Sequence, residues 1–303
     1  MAALLINPRY ALFLWKLGLR SLHDFMSIED GVLVGGHRHR DVRQLTLDQQ
    51  QVFLKKEYVI PWKDVFINWL HGFGLVTKAG REWRLLHQLR ELGFFAPEPI
   101  AYGERQGKAF LLLRALPMAV DLPRFLKQNP NQNNRRRILE QLADTLARFH
   151  NAGFVHADLY AKHVFIGTES SDIGFVDYQR TRFYPRGVPS ASRWRDLASL
   201  SASLHASAVS SKDRLRFFSR YCRQCCPYRI RDDRWTAIKQ IQRRELQLNR
   251  RNKMRKMHHL TDVAALSPSE MPIVSYYRVR MDATEWLPSL RVVQPHESPG
   301  EGT

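Results

Sequence analysis

The sequence predicts an α+β chain in two parts, a small N-terminal part built on a β-sheet with one key helix and a larger, mainly helical C-terminal part. Helical periodicity is the first observation. Ile138, Leu139, Leu142, Leu146 and Phe149 recur at the spacing that buries one helix face, and Trp83, Leu85, Leu86, Leu89 and Leu92 do the same within Lys78 to Leu92. The second is a set of short apolar runs of strand length, Val52–Leu54, Ile100–Gly103 and Ala109–Leu113, all ahead of residue 117. The third is size: 303 residues at 44% hydrophobic content can bury one bilobal core or two small ones.

In chain order, residues 1–29 form an amphipathic segment in which Phe13, Leu14, Leu17, Ser21, Leu22 and Phe25 follow Tyr10 at helical spacing. Two readings stay open for it: an interfacial helix with Arg9, Lys16 and Arg20 toward lipid headgroups, or a helix packed on the sheet. No apolar run approaches the ~20 residues of a membrane span. A basic start followed by a small-residue cleavage site is missing, so a secretory signal is not expected.

Gly31 to Gly36 reads as a strand ending in a glycine pair. Gly35 and Gly36 would let backbone amides approach a phosphate, although G-x-G-x-x-G is incomplete and a plain hairpin is the alternative. Strand alternation over Gln51 to Tyr58 places Phe53 and Lys55 on one face and turns Lys56 away. Lys55, after Val52-Phe53-Leu54, is the candidate phosphate-positioning lysine. Glu82, near the start of the next helix, is its natural partner, and Glu91 at the far end is less suited. Pro97 and Pro99 end that helical stretch. The following strand pair runs into a connection at Arg114, Ala115 and Leu116, whose backbone is the candidate adenine contact. Asp121 to Gln128 is expected as a short helix and Gln128 to Asn134 as a loop.

The segment Phe154 to Ile166 then reads as a catalytic loop between buried apolar segments. A helix delivers Asp158 into it, and the strands Val164–Ile166 and Ile173–Val176 deliver Asp177 beside it. A His-x-Asp loop followed by an Asp at a strand end matches the order found in protein kinases. Asp158 can accept a hydroxyl proton, and Asp177 can hold a hard cation such as Mg2+. His163 stands where kinases have Asn.

His156-Ala157-Asp158-Leu159-Tyr160, with His163 and an apolar strand behind it, resembles the bacterial lipopolysaccharide kinases of the Kdo/WaaP type. The resemblance extends to Phe53–Lys56, Arg81–Gly93, Pro97–Gly103, Val176–Arg180 and Arg193–Leu200, roughly residues 30 to 225. It implies a bilobal protein-kinase-like fold with an N-lobe over 30–116, a C-lobe with a basic C-terminal helix over 117–260, and a partly disordered tail over 261–303. It also implies an ATP-dependent phosphotransferase acting on Kdo or heptose of a lipid-linked inner-core sugar acceptor. In that reading Asp158 is the base, Lys55 neutralises phosphate charge, Glu82 positions Lys55, and Asp177 and His163 flank Mg2+. Imidazole is a poorer Mg2+ ligand than an oxygen, so a bond from His163 to phosphate or to Asp177 stays open. The same parts would serve a kinase of proteins or small molecules, and the weak glycine loop also admits a pseudokinase scaffold.

Thr181 to Ser192 is expected to be irregular. Ala157 replaces the arginine that anchors an activation-loop phosphate, which implies activity without such phosphorylation. In the helix Arg193 to His205, Asp196 is expected to brace the catalytic loop through backbone hydrogen bonds. Trp235 to Met257 is a helix crowded with Lys and Arg. With a net charge of +18 and a pI near 10.2, the chain calls for an acidic partner. An anionic membrane surface fits, and no nucleic-acid module accompanies the charge. The expected location is cytoplasmic, peripheral on the inner face of the inner membrane. Cys222, Cys225 and Cys226 sit too close together for a disulfide framework, and the adjacent His258 and His259 do not complete a zinc set.

Overall fold

Six antiparallel strands form the N-terminal sheet: β1 (Ala3–Ile6), β2 (Val32–His37), β3 (Arg40–Leu47), β4 (Gln50–Glu57), β5 (Glu98–Arg105) and β6 (Lys108–Arg114), in the order β1-β5-β6-β4-β3-β2. This computed structural model describes residues 3–60, 77–225 and 231–264, apart from 38, 48, 130 and 206, so most of the expected tail, from residue 265 on, lies outside the described residues. Two compact units divide the chain, Met1–Asn249 and Arg250–Thr303. The sheet and every side-chain contact that follows belong to the first.

Residues 3–27 differ from the single helical run that the Tyr10 to Phe25 spacing predicts. They give β1, which pairs with β5, then α1 (Pro8–Lys16) and α2 (Leu22–Ser27). Gly18, at φ +78, reverses the chain between them, and Ser21 and Asp24 close a capping box that starts α2 afresh. Leu14 and Phe25 are fully buried on the sheet, and Phe25 stacks on Phe110 with ring centroids 4.2 Å apart. The opposite side of α1 leaves Leu12 and Trp15 exposed, with the Arg20 guanidinium 4.3 Å from the Trp15 ring.

Alternation along β4 sorts two neighbouring lysines. Val52, Leu54 and Lys56 are buried on the α1/α2 face, and Lys55 points to the other. Lys56 turns away from Lys55 as expected, but into the protein and not into solvent. It is 1% exposed and donates to the carbonyls of Met26 (3.2 Å) and Ile28 (2.6 Å), with Asp41 at 3.9 Å. Burial pushes its ammonium pKa down, against the pull of Asp41. The lysine thus ties the end of α2 to the sheet.

Against the other face packs α3 (Lys78–Glu91). The C-terminal part follows: β7 (Ala119–Asp121), α4 (Leu122–Gln128), α5 (Gln132–Asn151), β8 (Phe154–Val155), β9 (Val164–Gly167), β10 (Ile173–Phe175), β11 (Arg182–Phe183), α6 (Ser190–Ser203), α7 (Ser211–Cys225) and α8 (Arg231–Ala264). Helix α5 begins within the stretch expected as a loop, because the Asn131 side chain accepts from the amides of Asn133 and Asn134 and satisfies the first turn. Within the segment expected to be irregular, β11 pairs with β8. Phe149 of α5 is the centre of this core, with the rings of Phe154 and Phe175 each 5.4 Å from its own. Helix α7 is bolted to α5 by Arg220, which meets Asp144 through two nitrogens and Glu140 through a third contact.

Lys56→Met should lower unfolding stability by about 2–4 kcal/mol, since it leaves two carbonyls and part of Asp41 without their buried donor. Urea denaturation measures this. Lys56→Gln, which keeps a polar donor at this position, should cost less, and equal losses in the two variants would contradict this role for the Lys56 ammonium.

Candidate active site

The site is assembled by close approach of α3 to the sheet. Thr77 caps the helix by accepting from the Gly80 amide at 3.0 Å. A Cβ on Gly80 would lie 2.5 Å from the Tyr102 hydroxyl of β5, so only glycine permits this contact. Glu82, 1% exposed, is thereby held under β4, where Lys55 donates to its Oε1 at 2.6 Å. Such a charge-assisted bond, screened from water, sets the position of the Lys55 ammonium. Glu91 is exposed at the far end of α3 and makes no ion pair with Lys55.

Below the sheet, two loops meet. Asp196 of α6, fully buried, accepts from the amides of His156 (2.7 Å) and Ala157 (2.9 Å), the bracing role read from the sequence. The two loops are also tied to each other. His156 Nε2 donates to the carbonyl of Val176 at 2.9 Å, and the Val176 amide donates to the carbonyl of His163 at 3.0 Å. Burial holds the His156 pKa below its ordinary value, which favours the neutral ring. Ala157 (φ 63) and Asp177 (φ 62, ψ 62) both occupy the left-handed region, at a cost of about 1–3 kcal/mol each for non-glycine residues. Strain of this kind survives only where the surroundings dictate the backbone, and here it aims Asp158 and Asp177 at a common space.

Asp158, His163 and Asp177 each offer one ligand atom, all within 4.8 Å of one another. His163 Nδ1 lies 2.8 Å from the carbonyl oxygen of Asp158. A carbonyl only accepts, so Nδ1 carries the hydrogen, and in the neutral form of the ring Nε2 presents a lone pair. That lone pair faces Asp177 Oδ2 at 4.0 Å. Two electron-rich atoms so placed repel unless a cation or a proton lies between them, and the donor set therefore fits a small divalent cation. Burial pushes the Asp177 pKa up, but nearby positive charge, Lys55 first, outweighs it and holds the carboxyl below its usual range.

The glycine pair lies at the end of β2, beside the tip of the β2–β3 hairpin. A Cβ on Gly36 would meet the Arg40 carbonyl at 2.7 Å, whereas one on Gly35 would meet nothing within 4 Å. Gly36 is thus required by the hairpin itself, and Gly35 faces open space. Arg114 turns its guanidinium toward Glu98, 3.7 Å away, and the Ala115 amide donates to the Gln51 carbonyl. Leu116 packs over Gly174 of β10.

Two residues near the site went unassigned in the sequence. Arg40 reaches from the hairpin to donate to Gln179 Oε1 at 2.5 Å, linking the glycine region to the Asp177 loop. Arg180, largely exposed, sets its guanidinium 3.6 Å from Asp158 Oδ1. Arg180 stood in the quoted motif without a role, and Arg40 had no local signal beyond its place after the glycines.

The fold and these paired loops have counterparts. The model of the lipopolysaccharide kinase (Kdo/WaaP) family matches residues 35–221. This chain belongs to that family. It is 28% identical over 202 residues to the lipopolysaccharide core heptose(I) kinase WaaP of Pseudomonas aeruginosa, covering 62% of this chain and 75% of the relative. It is 27% identical over 124 residues to the 3-deoxy-D-manno-octulosonic acid kinase of Vibrio parahaemolyticus, 40% of this chain and 50% of that one. The solved structure of WaaP in complex with acyl carrier protein superposes with a TM-score of 0.63 at 21% identity, covering 81% of this chain and 99% of that chain. The fold is protein-kinase-like, and the protein is a kinase, a phosphotransferase with an alcohol group as acceptor.

Replacing His163 with Ala should weaken divalent-cation binding on the order of 10–100-fold, read as Mn2+ affinity by electron paramagnetic resonance without turnover. His163→Asn should keep part of it by offering an oxygen. Unchanged Mn2+ affinity in His163→Ala would reduce His163 to a support for the Asp158 loop.

Proposed function

We propose that this protein transfers the γ-phosphoryl group of ATP to a hydroxyl of a lipid-linked sugar in the lipopolysaccharide inner core. The observation that supports it best is the Lys55–Glu82 pair, 2.6 Å long, on the sheet face above the Asp158, His163 and Asp177 group. The longer match, to heptose(I) kinases, favours heptose over Kdo as the sugar.

In this reading Asp177 and His163, with Asp158 beside them, would hold Mg2+, which supplies charge neutralisation on the phosphate oxygens. Lys55, oriented by Glu82, places its ammonium against the phosphates. The open backbone at Gly35 offers amide approach to them from above. Asp158 accepts the acceptor's hydroxyl proton at a carboxylate oxygen while the new O–P bond forms and the bond from the γ-phosphorus to the bridging oxygen breaks, leaving ADP. Arg180 sets a second positive charge on the acceptor side. Catalysis then rests on positioning and fixed charge, which is where phosphoryl transfer gains most.

The acceptor's lipid anchor calls for contact with a membrane surface, and we place the protein at the cytoplasmic face of the inner membrane. No helix of the described residues is long and apolar enough to cross a membrane. Exposed Lys239, Arg243, Arg250 and Arg251 of α8 supply an electrostatic attraction to anionic lipid, about 1 kcal/mol per residue.

Asp158→Ala and Asp177→Ala should each lower phosphate transfer to a purified, dephosphorylated lipid A–core acceptor by about 10²–10⁴-fold, with circular dichroism unchanged. Undiminished transfer in either variant removes the proposed chemistry. In co-sedimentation with anionic vesicles, changing Arg243, Arg250 and Arg251 together to Gln should reduce binding, and wild-type binding should weaken with salt over a Debye length of ~8 Å. Salt-insensitive binding, equal in both proteins, would move the membrane contact to the exposed Leu12 and Trp15 of α1.

A further inference from the structure

A second cluster of charge lies at the base of the catalytic loop, and the transfer chemistry does not use it. Arg182 of β11 pairs directly opposite Val155 of β8, the residue from which the chain passes into His156, Ala157 and Asp158. Arg195 of α6 precedes Asp196, the carboxylate that holds the same loop. Arg182 lies within electrostatic reach of Arg195 and of Arg81 at the start of α3, and Arg244 of α8 lies within reach of Arg195. Arg195 of α6 thus lies within electrostatic reach of arginines from two other elements, Arg182 of β11 and Arg244 of α8.

Asp196 and Tyr184 counter the Arg195 charge in part, but neither bonds its Nε or Nη2. Both oxygens of Asp196 are occupied, Oδ2 by the His156 amide and by His150, and Oδ1 by the Ala157 amide. Glu245, next to Arg244, is engaged by Ser201 and Arg214. Among the described residues, Arg182, Arg195 and Arg244 make no ion pair within 4.0 Å. Arg195 Nε and Nη2 are buried with no hydrogen-bond partner, although the side chain as a whole is only half-buried. Burial, then the neighbouring Arg182, pushes the Arg195 pKa down against the pull of Asp196. A buried donor left unmade costs about 1–3 kcal/mol, and like charges add to that cost. An oxyanion seated among the three guanidinium groups would remove both penalties at once.

We propose that Arg182, Arg195 and Arg244 form a subsite for an oxyanion of the acceptor, a carboxylate or phosphate on a sugar next to the one that is phosphorylated. The inference rests on the lipid-linked sugar reading above and deepens it. Asp158 lies three positions after Val155, a backbone reach of no more than about 11 Å, so the cluster sits near enough to the base to hold the neighbouring part of the same acceptor. Planar guanidinium forks suit both oxyanions. Tyr184, which shares β11's exit and lies 3.5 Å from Ser192, borders the subsite on the side of α6. Such a subsite selects acceptors already carrying an acidic group and excludes neutral sugars.

The test uses the full chain and the variants Arg182→Gln, Arg195→Gln and Arg195→Lys. With lipid A–core as acceptor, each Gln variant should raise the acceptor KM by about tenfold or more, the loss of one bond to a charged group, while the KM for ATP stays put. Arg195→Lys should recover part of the loss. Inorganic phosphate should compete with the acceptor in the wild type beyond the effect of chloride at equal ionic strength, and this excess should vanish in Arg195→Gln. A purely structural role for Arg195 predicts instead a lower Tm in Arg195→Gln, whereas relief of like-charge repulsion predicts an unchanged or higher one. Unaltered acceptor KM in both Gln variants overturns the subsite. If the wild type transfers nothing to lipid A–core, the sugar reading itself fails. The cluster is then read by calorimetric titration of inorganic phosphate into protein saturated with a non-hydrolysable ATP analogue and Mg2+: binding lost in Arg195→Gln supports an oxyanion site, and equal or no binding in both proteins overturns it.

Discussion

The buried carboxylate of Asp196 is the constraint on which the rest of the site depends. It lies on α6, far along the chain from the loop that it holds, and it accepts two consecutive amides, those of His156 and Ala157. Ala157 is left-handed, a conformation the backbone would abandon without that grip. Once the loop is fixed there, His156 reaches the Val176 carbonyl and His163 reaches back to the carbonyl of Asp158, so the carboxylates of Asp158 and Asp177 inherit their separation from one interaction. His150 joins the same carboxylate and links it through Tyr221 to α7, which extends the brace from the loop into the helical core. A fully buried carboxylate is costly to desolvate, and here the donated amides and the imidazole offset the cost.

Charge is handled differently in the two halves of the molecule. In the sheet, each buried cation has a specified partner: Lys55 has Glu82, and Lys56 has two carbonyls and Asp41. Around the Asp158 and Asp177 loops arginines gather: Arg40 acts on Asp177, Arg180 lies 3.6 Å from Asp158, and Arg182 and Arg244 act on Arg195 beside Asp196. A surplus of fixed positive charge beside a loop of acidic residues is an arrangement that stores electrostatic free energy for anionic substrates. Nucleotide phosphates and an acidic acceptor would both draw on it. The overall charge of +18 is thus partly a local property of the site and partly the basic surface of α8.

Periodicity and motif order by themselves determined the outline of this protein: a sheet-based N-terminal part, the helix carrying Glu82, the long helix ahead of the catalytic loop, and the grouping of Lys55, Glu82, Asp158, His163 and Asp177. Those features are legible because they follow from local rules, the period of strand and helix and the short spacing within one loop–hairpin unit. Tertiary structure alone decided the rest. It divided the N-terminal segment into β1 and two short helices, since a glycine reversal and a capping box outweigh an apolar spacing that would otherwise continue. It buried Lys56 instead of exposing it, because the partners are carbonyls with no sequence signature. It also brought Arg40 to Gln179 and set Arg182 and Arg244 within electrostatic reach of Arg195. Such contacts join residues tens of positions apart, and a linear pattern holds no record of which distant side chains the packing of sheet on helix will set face to face.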